Sequence, residues 1–194
     1  MTNQLPRDDN VPVLWSGRVF GHYRLEFLRC LSNDYGFEID AAADWNESVA
    51  FNGDTDVVNQ VAPYANIVRL RNHYLGPCLW QSGLLQHIAS RRYPIVLAVG
   101  DPQHLSTWIA LVIGRVTRTK VALWTHGWKP SMGFGKQLVL QIFYRLSGHL
   151  LLYSKDAETI GVEQGFPRRR MTVVSNSSSS ERDVSAHKAS GRQR

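Results

Sequence analysis

The chain has 194 residues, 43% of them apolar, so it is long enough for one well-buried domain and too short for two large ones. Its two cysteines, Cys30 and Cys78, are far apart and have no paired spacing, which argues against a disulfide framework and a zinc site and suits a reducing cytoplasm. The formal net charge of +6 excludes a strongly acidic protein and favours partners with negative charge.

The basic residues are clustered, and each cluster lies where a helix passes into a strand. Such clusters bind phosphorylated ligands, anionic membranes or nucleic acid, but they also occur as solvated helix ends. Nucleic acid is not expected, because the clusters lack interleaved aromatics and the chain lacks a Walker-type lysine loop. The clusters are Arg91 with Arg92, residues 115 to 120, and residues 168 to 170.

No segment is predicted to target the chain to a membrane. The first ten residues lack the charged start and apolar core of a signal peptide, and no apolar run approaches the roughly 20 residues that span a bilayer. We therefore expect a flexible leader over residues 1 to 10 and a cytoplasmic protein. Peripheral contact with the inner face of the plasma membrane, through the basic clusters, is a further hypothesis.

The first predicted unit is a strand, a glycine-containing loop and a helix. Residues 11 to 15 form a short apolar run, Gly17 and Gly21 bracket the loop, and leucines at three-residue spacing predict a helix from His22. This unit resembles a phosphate-binding turn, in which glycine lets the backbone approach an oxyanion. The glycine spacing is not the dinucleotide fingerprint, so a simple tight turn is the alternative.

The next stretch contains one clear strand and several faint patterns. Residues 37 to 43 predict a second strand after Gly36, and residues 44 to 56 have no period and are expected to form a loop. The remaining patterns predict strand pieces at 57–58 and 67–70, and a helix that begins after Pro77 within residues 74 to 90.

From residue 95 onwards, buried strands and helices alternate. The apolar run from Ile95 to Gly100 is typical of a strand buried on both faces. The later patterns predict helices at 106–115, from Phe134, and at 155–164, and strands from Val121, at 149–154 and at 171–174. This order indicates an α/β fold with a mostly parallel, Rossmann-like sheet, helices on both faces and right-handed crossovers.

The stretch Val121 to Trp128 is the first place where chemistry is expected. It reads as a buried strand that ends at His126 and Gly127, and ligands of open α/β sheets bind at the carboxyl ends of the strands. The composition changes abruptly after Asn176 to serines and then to a polar, basic end. We expect residues 177 to 194 to be a disordered tail, because they lack the apolar residues needed for a core.

Five short motifs in order resemble the amino-terminal half of retaining GT-B glycosyltransferases, and more narrowly the family-4 enzymes of bacterial capsule and exopolysaccharide assembly. They are Trp15-Ser16-Gly17 with Tyr23-Arg24, Thr125-His126-Gly127-Trp128, Tyr153-Ser154, Gly165-Phe166-Pro167, and Val173-Val174 with Asn176-Ser177. The resemblance implies an acceptor-side Rossmann-like domain over residues 11 to 176. It faces a second domain that binds the nucleotide sugar.

The resemblance also implies roles for individual residues. Gly17 and Gly21 would lie beside the donor phosphates, His126 near the donor sugar, and Asn176 at the start of the linker to the second domain. Asp101 and His104 would line the acceptor side, where the correspondence with the family is loose. The remaining substrate-binding candidates are Arg18, Tyr23, Arg24, Gly127, Trp128, Tyr153 and Ser154.

The sequence given ends where the family's second domain begins. Donor-binding residues of the family, including its paired glutamates, are therefore not in it, and transition-state stabilisation of the departing diphosphate would be incomplete. We expect the polypeptide alone to be inactive unless another chain supplies that half, and a truncated or frameshifted product is the alternative. A nucleotide sugar is the implied donor, a glycan or lipid-linked molecule the implied acceptor, and neither a cofactor nor a metal is expected.

Each candidate side chain also has a purely structural interpretation. His126 could be a core histidine, and as a ligand it would hydrogen-bond a sugar hydroxyl or position the donor rather than act as a base. Arg18 and Arg24 suit phosphate oxygens but also an ordinary surface. For the tryptophans, Trp124 is predicted to be core and Trp128 the better candidate for stacking on a sugar.

Two other functions are open from sequence. One is a non-catalytic binding or regulatory subunit that pairs with a separate donor-binding chain, and the other is an unrelated α/β nucleotide-binding module. A neighbouring reading frame that encodes the second domain would favour a split enzyme over both.

Overall fold

The computed structural model describes residues 11–130 and 132–174, which form an α/β domain around one parallel sheet. The sheet has seven strands in the order β3-β2-β1-β6-β7-β8-β9, and a separate antiparallel hairpin is formed by β4 and β5. The strands are β1 Pro12–Ser16, β2 Glu38–Ala43, β3 Asn66–Arg69, β4 Arg71–Leu75, β5 Cys78–Ser82, β6 Ile95–Val99, β7 Lys120–Thr125, β8 His149–Leu152 and β9 Met171–Val173.

Helices cover both faces of the sheet, in two groups. The helices are α1 Leu25–Arg29, α2 Trp45–Asn52, α3 Val57–Val61, α4 Leu84–Ala89, α5 Leu105–Thr117, α6 Phe134–Leu146 and α7 Lys155–Glu163. Leu28, Trp45 and Val61 from α1 to α3 belong to one apolar core. Leu84, Leu111 and Phe143 from α4 to α6 belong to the other, together with Ala157 of α7.

The two helix groups meet at the central pair of strands, β1 and β6. Strand β1 pairs in parallel with β2 on one side and with β6 on the other, so the order of connection reverses between them. The loops that leave β1 and β6 therefore diverge to opposite faces and leave a crevice at the carboxyl edge of the sheet. The predicted Rossmann-like α/β fold is confirmed.

The apolar runs and leucine spacing located most elements correctly, but the segment 44–56 is not a loop. Asp44 caps helix α2, since its side chain accepts hydrogen bonds from the backbone N–H groups of Asn46 and Glu47, and Gly53 ends the helix in a left-handed conformation. Only Trp45 and Ser48 of this helix are buried, so it has almost no apolar period. The capping residues, and not the pattern, specify it.

The prediction of a helix after Pro77 is also wrong for the first part of that segment. Residues 71 to 82 form the β4-β5 hairpin, and Leu75 pairs with Cys78 across a two-residue turn in which Gly76 has φ of +58°. A glycine with positive φ at the start of such a turn suits a hairpin, so Pro77 belongs to the turn and not to a helix. The helix begins later, at Leu84. The expected strand piece at Val57 is likewise part of helix α3.

Several of the clustered arginines have partners within the fold. Arg115 donates to the backbone carbonyls of Leu146 and Arg145, and Arg170 also donates to the carbonyl of Arg145, so both arginines satisfy the carboxyl end of helix α6. Arg168 pairs with Glu158 at 3.3 Å. These positions fit the interpretation of the clusters as helix ends. The predicted leader, the tail and Asn176 lie outside the described residues.

Candidate functional site

A cleft of about 1190 Å³ lies at the carboxyl edge of the sheet, above β1, β6, β7 and β8. Its walls come from the loop after β1, the loop after β6, the loop after β7, the first turns of α6, and the residue that follows β8. Eight predicted site residues line it, namely Arg18, Tyr23, Arg24, Asp101, His104, His126, Gly127 and Tyr153. The topology thus brings most of the candidates together.

Arg24 is the unusual residue of this cleft, because its charge is buried without a carboxylate. Its side chain belongs to a residue that is only 7% exposed, and one guanidinium nitrogen donates to the carbonyl of Val19 at 3.3 Å. The Nε has no hydrogen-bond partner, and no acidic side chain in the described ranges pairs with the guanidinium. The rings of Trp15, Phe20, Tyr23 and Trp124 surround it, with centroids 5.5 to 5.9 Å from Cζ.

Aromatic rings stabilise a buried cation by only about 0.5–2 kcal/mol, whereas its desolvation costs several kcal/mol. Arg24 therefore has unused capacity to bind an anion. The two glycines of the loop after β1 make room for this arrangement. A Cβ on Gly17 would lie 2.6 Å from Nη1 of Arg24, and one on Gly21 would lie 2.4 Å from the ring of Tyr23. The side chains of Arg24 and Tyr23 form the cleft wall here, and they fit because Gly17 and Gly21 have no Cβ. Direct phosphate contact by Gly17 and Gly21 stays a prediction.

A buried amide network holds the loop after β1 in place. Gln81 of β5 donates to the carbonyl of Gly17 at 3.0 Å and to the side chain of Asn72 at 2.9 Å. Asn72 in turn donates to the carbonyl of Arg18 at 3.1 Å and to Glu47 at 3.0 Å. Sequence reasoning missed these residues, because it placed Gln81 in a helix and Glu47 in a loop. The spacing of Asp44 and Glu47 was the available signal for a helix start.

His126 projects from the carboxyl end of β7 and is exposed to the cleft. Its ring packs on that of Tyr153, with centroids 4.4 Å apart at an angle of 36°. Burial raises the pKa of the Tyr153 hydroxyl, so that group is a neutral donor near pH 7. The pair offers an imidazole and a phenol, both able to hydrogen-bond sugar hydroxyls. The structural interpretation of His126 as a core histidine does not hold.

The prediction of Trp124 as a core residue is confirmed, whereas that of Trp128 as a ligand-stacking residue is wrong. Trp128 is 3% exposed, packs against Tyr144 and Phe166, and lies over Gly161, so it is part of the core and does not line the cleft. Trp124 is 7% exposed and belongs to the apolar core, where it stacks on Trp15 at 5.2 Å, and it also borders the cleft. Trp128 turns inward because Gly127 before it is left-handed, and its φ of +71° directs the chain back towards the sheet.

A hydroxyl pair fixes the end of β7 to its neighbours. Thr125 Oγ1 donates to the carbonyl of Gly100 at 2.7 Å, so the Tyr144 hydroxyl, also 2.7 Å away, donates to Thr125. The same oxygen accepts from the backbone N–H of Gly127 at 3.2 Å. These bonds join the loops after β6 and β7 to helix α6. They fix the position of Thr125, and therefore the point at which His126 leaves the strand.

The opposite wall of the cleft is the amino-terminal end of helix α6. Gly133, Phe134, Gly135 and Lys136 line the cleft, and the first backbone N–H groups of a helix have no partners within the helix. The cap, Gly133, forms no side-chain bond, and the first turn contains no acidic residue. Lys129 and Lys136 add positive charge to this wall. A negatively charged group would therefore be stabilised here.

Asp101 carries the single carboxylate among the residues that line the cleft. Its side chain accepts from the backbone N–H of Gln103 at 2.9 Å, which orders the loop after β6. Ser154 instead caps helix α7, since it accepts from the N–H of Ala157 at 3.2 Å, and it does not line the cleft. Asp101 is therefore placed for contact with a ligand, and Ser154 for structure.

His104 should make stability sensitive to acid. Burial lowers the pKa of its imidazole, and the neighbouring Asp101 opposes this only in part. Because the unfolded chain then binds a proton that the folded chain does not, stability is complete above the ordinary value of about 6.5 and falls as the pH drops towards the folded-state pKa. We expect a loss of up to about 1.4 kcal/mol for each pH unit from this group. Burial lowers the pKa of His149 in the same direction.

Urea unfolding between pH 7 and pH 5 would measure this slope. His104→Asn should flatten it, and the same replacement at the exposed His73 should leave it unchanged. Equal slopes for all three proteins would show that His104 does not titrate below its ordinary range.

Among the helices of the described residues, none has the length and apolar character of a membrane-spanning segment.

No known family model matches this sequence, and no curated protein matches it. Solved structures do match. A UDP-GlcNAc 2-epimerase from Methanocaldococcus jannaschii superposes with a TM-score of 0.54 at 11% identity, over 84% of this chain and 44% of that one. The Anabaena protein HepE, in complex with UDP and glucose, superposes with a TM-score of 0.53 at 14% identity, over 86% of this chain and 44% of that one. Another UDP-N-acetylglucosamine 2-epimerase superposes with a TM-score of 0.55 at 12% identity, over 84% of this chain and 48% of that one.

The chain spans a little under half the length of these structures. At such identities the likeness concerns the fold, which agrees with the GT-B-like half-domain expected from the sequence motifs. The proteins matched are named for, or solved with, UDP or UDP-sugars. The narrower expectations, a family-4 and retaining enzyme, stay predictions.

Proposed function

We propose that this domain is the acceptor-side half of a GT-B glycosyltransferase of bacterial surface polysaccharide synthesis. With a donor-binding domain on the same or another chain, it would transfer a sugar from a nucleotide sugar to a glycan or lipid-linked acceptor, with retention, as in the family-4 enzymes. The observation that carries the proposal is the buried Arg24, which has no carboxylate partner in the described chain and lines a cleft at the switch point of the sheet.

The charges of the cleft suit a diphosphate. Arg18, Arg24, Lys129 and Lys136 line it against the single carboxylate of Asp101, and the α6 amino terminus adds its partial positive charge. A departing nucleoside diphosphate needs such stabilisation, and fixed charges in a partly desolvated cleft supply it without reorganisation. No other side chain in the described structure combines deep burial, positive charge and cleft exposure in this way.

The remaining residues divide between sugar and acceptor. His126 and Tyr153 lie side by side at the end of β7 and β8 and would hydrogen-bond hydroxyls of the transferred sugar. Asp101, on the neighbouring loop, would accept a hydrogen bond from the acceptor hydroxyl and orient it. Positioning of this kind, rather than proton abstraction by His126, is the role that the geometry supports.

Calorimetric titration of the chain with UDP, UDP-glucose and uridine would test the proposal, using the chain alone and together with a polypeptide carrying a donor-binding domain. We expect UDP and UDP-glucose to bind, more tightly with the second domain present, and uridine to bind at least about tenfold more weakly because it lacks the diphosphate. Repeating the titration with GDP identifies the base preference. Failure of every nucleoside diphosphate under both conditions would overturn the proposal.

A further inference from the structure

The outer face of helices α5 and α6 exposes an unusual number of apolar side chains. Phe134 is 82% exposed and Val116 is 75% exposed, although both belong to helices that pack on the sheet. We call this surface the α5–α6 ridge, and its apolar members are Ile109, Val112, Val116, Phe134, Leu138, Val139 and Ile142. Apolar side chains grouped in this way mark an interaction surface more often than isolated ones do.

The two helices lie side by side, so these residues share one surface. The rings of Trp108 and Phe143 pack at 4.8 Å, and Arg115 donates to the carbonyl of Arg145 at 2.8 Å. Val112 lies one helical turn from both Trp108 and Arg115, the α5 residues that contact α6. It is therefore on the side of α5 that faces the other helix, and the apolar residues of α5 continue towards those of α6.

The charged residues of the stretch that carries the ridge all have one sign. From Pro102 to Lys155 the sequence contains no aspartate and no glutamate. The same stretch carries the basic residues Arg115, Arg118, Lys120, Lys129, Lys136, Arg145 and Lys155. Arg115, Arg118, Lys136 and Arg145 belong to α5, to α6 or to the residue that ends α5, and all are exposed. The surface is thus apolar in its centre and cationic at its margin.

We propose that the α5–α6 ridge binds the surface of an anionic phospholipid bilayer. Its apolar side chains enter the headgroup region, and the basic residues at its margin contact lipid phosphates, as in other amphipathic interfacial helices. A second copy of the chain fits less well, because pairing the ridge with itself would oppose like charges without any acidic partner. Nucleic acid fits less well because apolar residues occupy the centre of the surface.

The ridge adjoins the cleft, since Phe134 belongs to both and Lys136, at the margin of the ridge, also lines the cleft. Docking would therefore place the cleft mouth beside the bilayer, where a lipid-linked acceptor is held. That consequence rests on the proposed glycosyltransferase function, whereas the membrane contact itself does not.

Co-sedimentation of the purified full chain with vesicles would test the proposal. We expect binding to vesicles of phosphatidylcholine with phosphatidylglycerol, at least about tenfold weaker binding to phosphatidylcholine alone, and release from the anionic vesicles at high salt. Glutamines at three ridge positions outside the cleft should weaken binding about tenfold or more, since each removes an inserted apolar group. The variant is Val112→Gln with Val116→Gln and Ile142→Gln.

The matched control places glutamines at three exposed apolar positions elsewhere, Tyr35→Gln with Leu75→Gln and Val162→Gln, and it should bind as the unmodified chain does. Thermal unfolding verifies that both variants fold. Absence of binding to anionic vesicles by the unmodified chain, or equal binding by the two variants, would overturn the proposal. Concentration-dependent dimerisation that only the ridge variant loses, without vesicle binding, would assign the surface to a second copy instead. Because vesicle binding needs no nucleotide, its failure is distinct from failure of the proposed function.

Discussion

Arg24→Met is expected to weaken binding of UDP at least about thirtyfold, equivalent to ~2 kcal/mol, and to leave the free energy of unfolding unchanged or higher. The affinity falls because the guanidinium is the buried cation of the cleft. Stability does not fall, because removal of a buried charge without a carboxylate partner relieves its desolvation cost, and methionine keeps packing against the surrounding rings. Calorimetry and urea unfolding on the same protein would measure the two quantities.

The UDP affinity of Arg24→Lys should lie between that of Arg24→Met and that of the unmodified chain, since an ammonium keeps the charge but not the planar fork of donors. The matched control is Arg29→Met, on the same helical segment. Arg29 pairs with Glu26 on the protein surface, so its loss should leave UDP affinity unchanged. If Arg24→Met binds UDP as tightly as the unmodified chain does, or destabilises the fold without changing the affinity, Arg24 has a structural role and does not hold the diphosphate.

Gly127→Val is expected to lower the free energy of unfolding by about 3 kcal/mol. Two costs add. Gly127 has φ of +71°, a conformation that strains a β-branched residue, and a Cβ there would lie 2.9 Å from that of Ala157 and 3.1 Å from Leu152. The same change should displace His126, which precedes it, and weaken sugar-nucleotide binding.

Thermal and urea unfolding would measure the effect of Gly127→Val, with Gly135→Val as the control. Gly135 lies in the first turn of α6, has nothing near its Cβ position, and has no positive φ. Valine there should alter stability by no more than about 0.5 kcal/mol. Equal stability of the two variants would mean that the turn after β7 does not require glycine.

The fold was largely predictable because its sheet is parallel. Strands buried on both faces give continuous apolar runs, and Ile95–Val99 and Lys120–Thr125 were recognisable for that reason. The β4 strand has no such signal, since its side chains are mostly exposed and its pairing depends on a glycine turn. Helix α2 depends on its caps. Local patterns therefore report burial well and report capping and turn geometry poorly.

The site was predictable only in part, for a different reason. Arg24, His126 and Tyr153 stand at element ends and could be named from their positions in the chain. The direction of Trp128 could not, because it depends on one left-handed residue before it. Nor could the support by Gln81 and the contribution of the α6 amino terminus, because both depend on contacts between elements distant in sequence.

The position of β1 has a consequence for how the chain assembles during synthesis. Its residues leave the ribosome before those of the other described strands, yet they end at the centre of the sheet, where Val13 pairs with Ile39 of β2 on one side and with Ile95 of β6 on the other. The backbone hydrogen bonds on the first side of β1 can form early, with β2. Those on the second side cannot form until β6 has been made, so a nascent chain exposes an unpaired side of β1 throughout the synthesis of α2 to α4. Chaperone demand and the tendency to aggregate should therefore be greatest for nascent chains stalled before Ile95, and should decline once β6 is available.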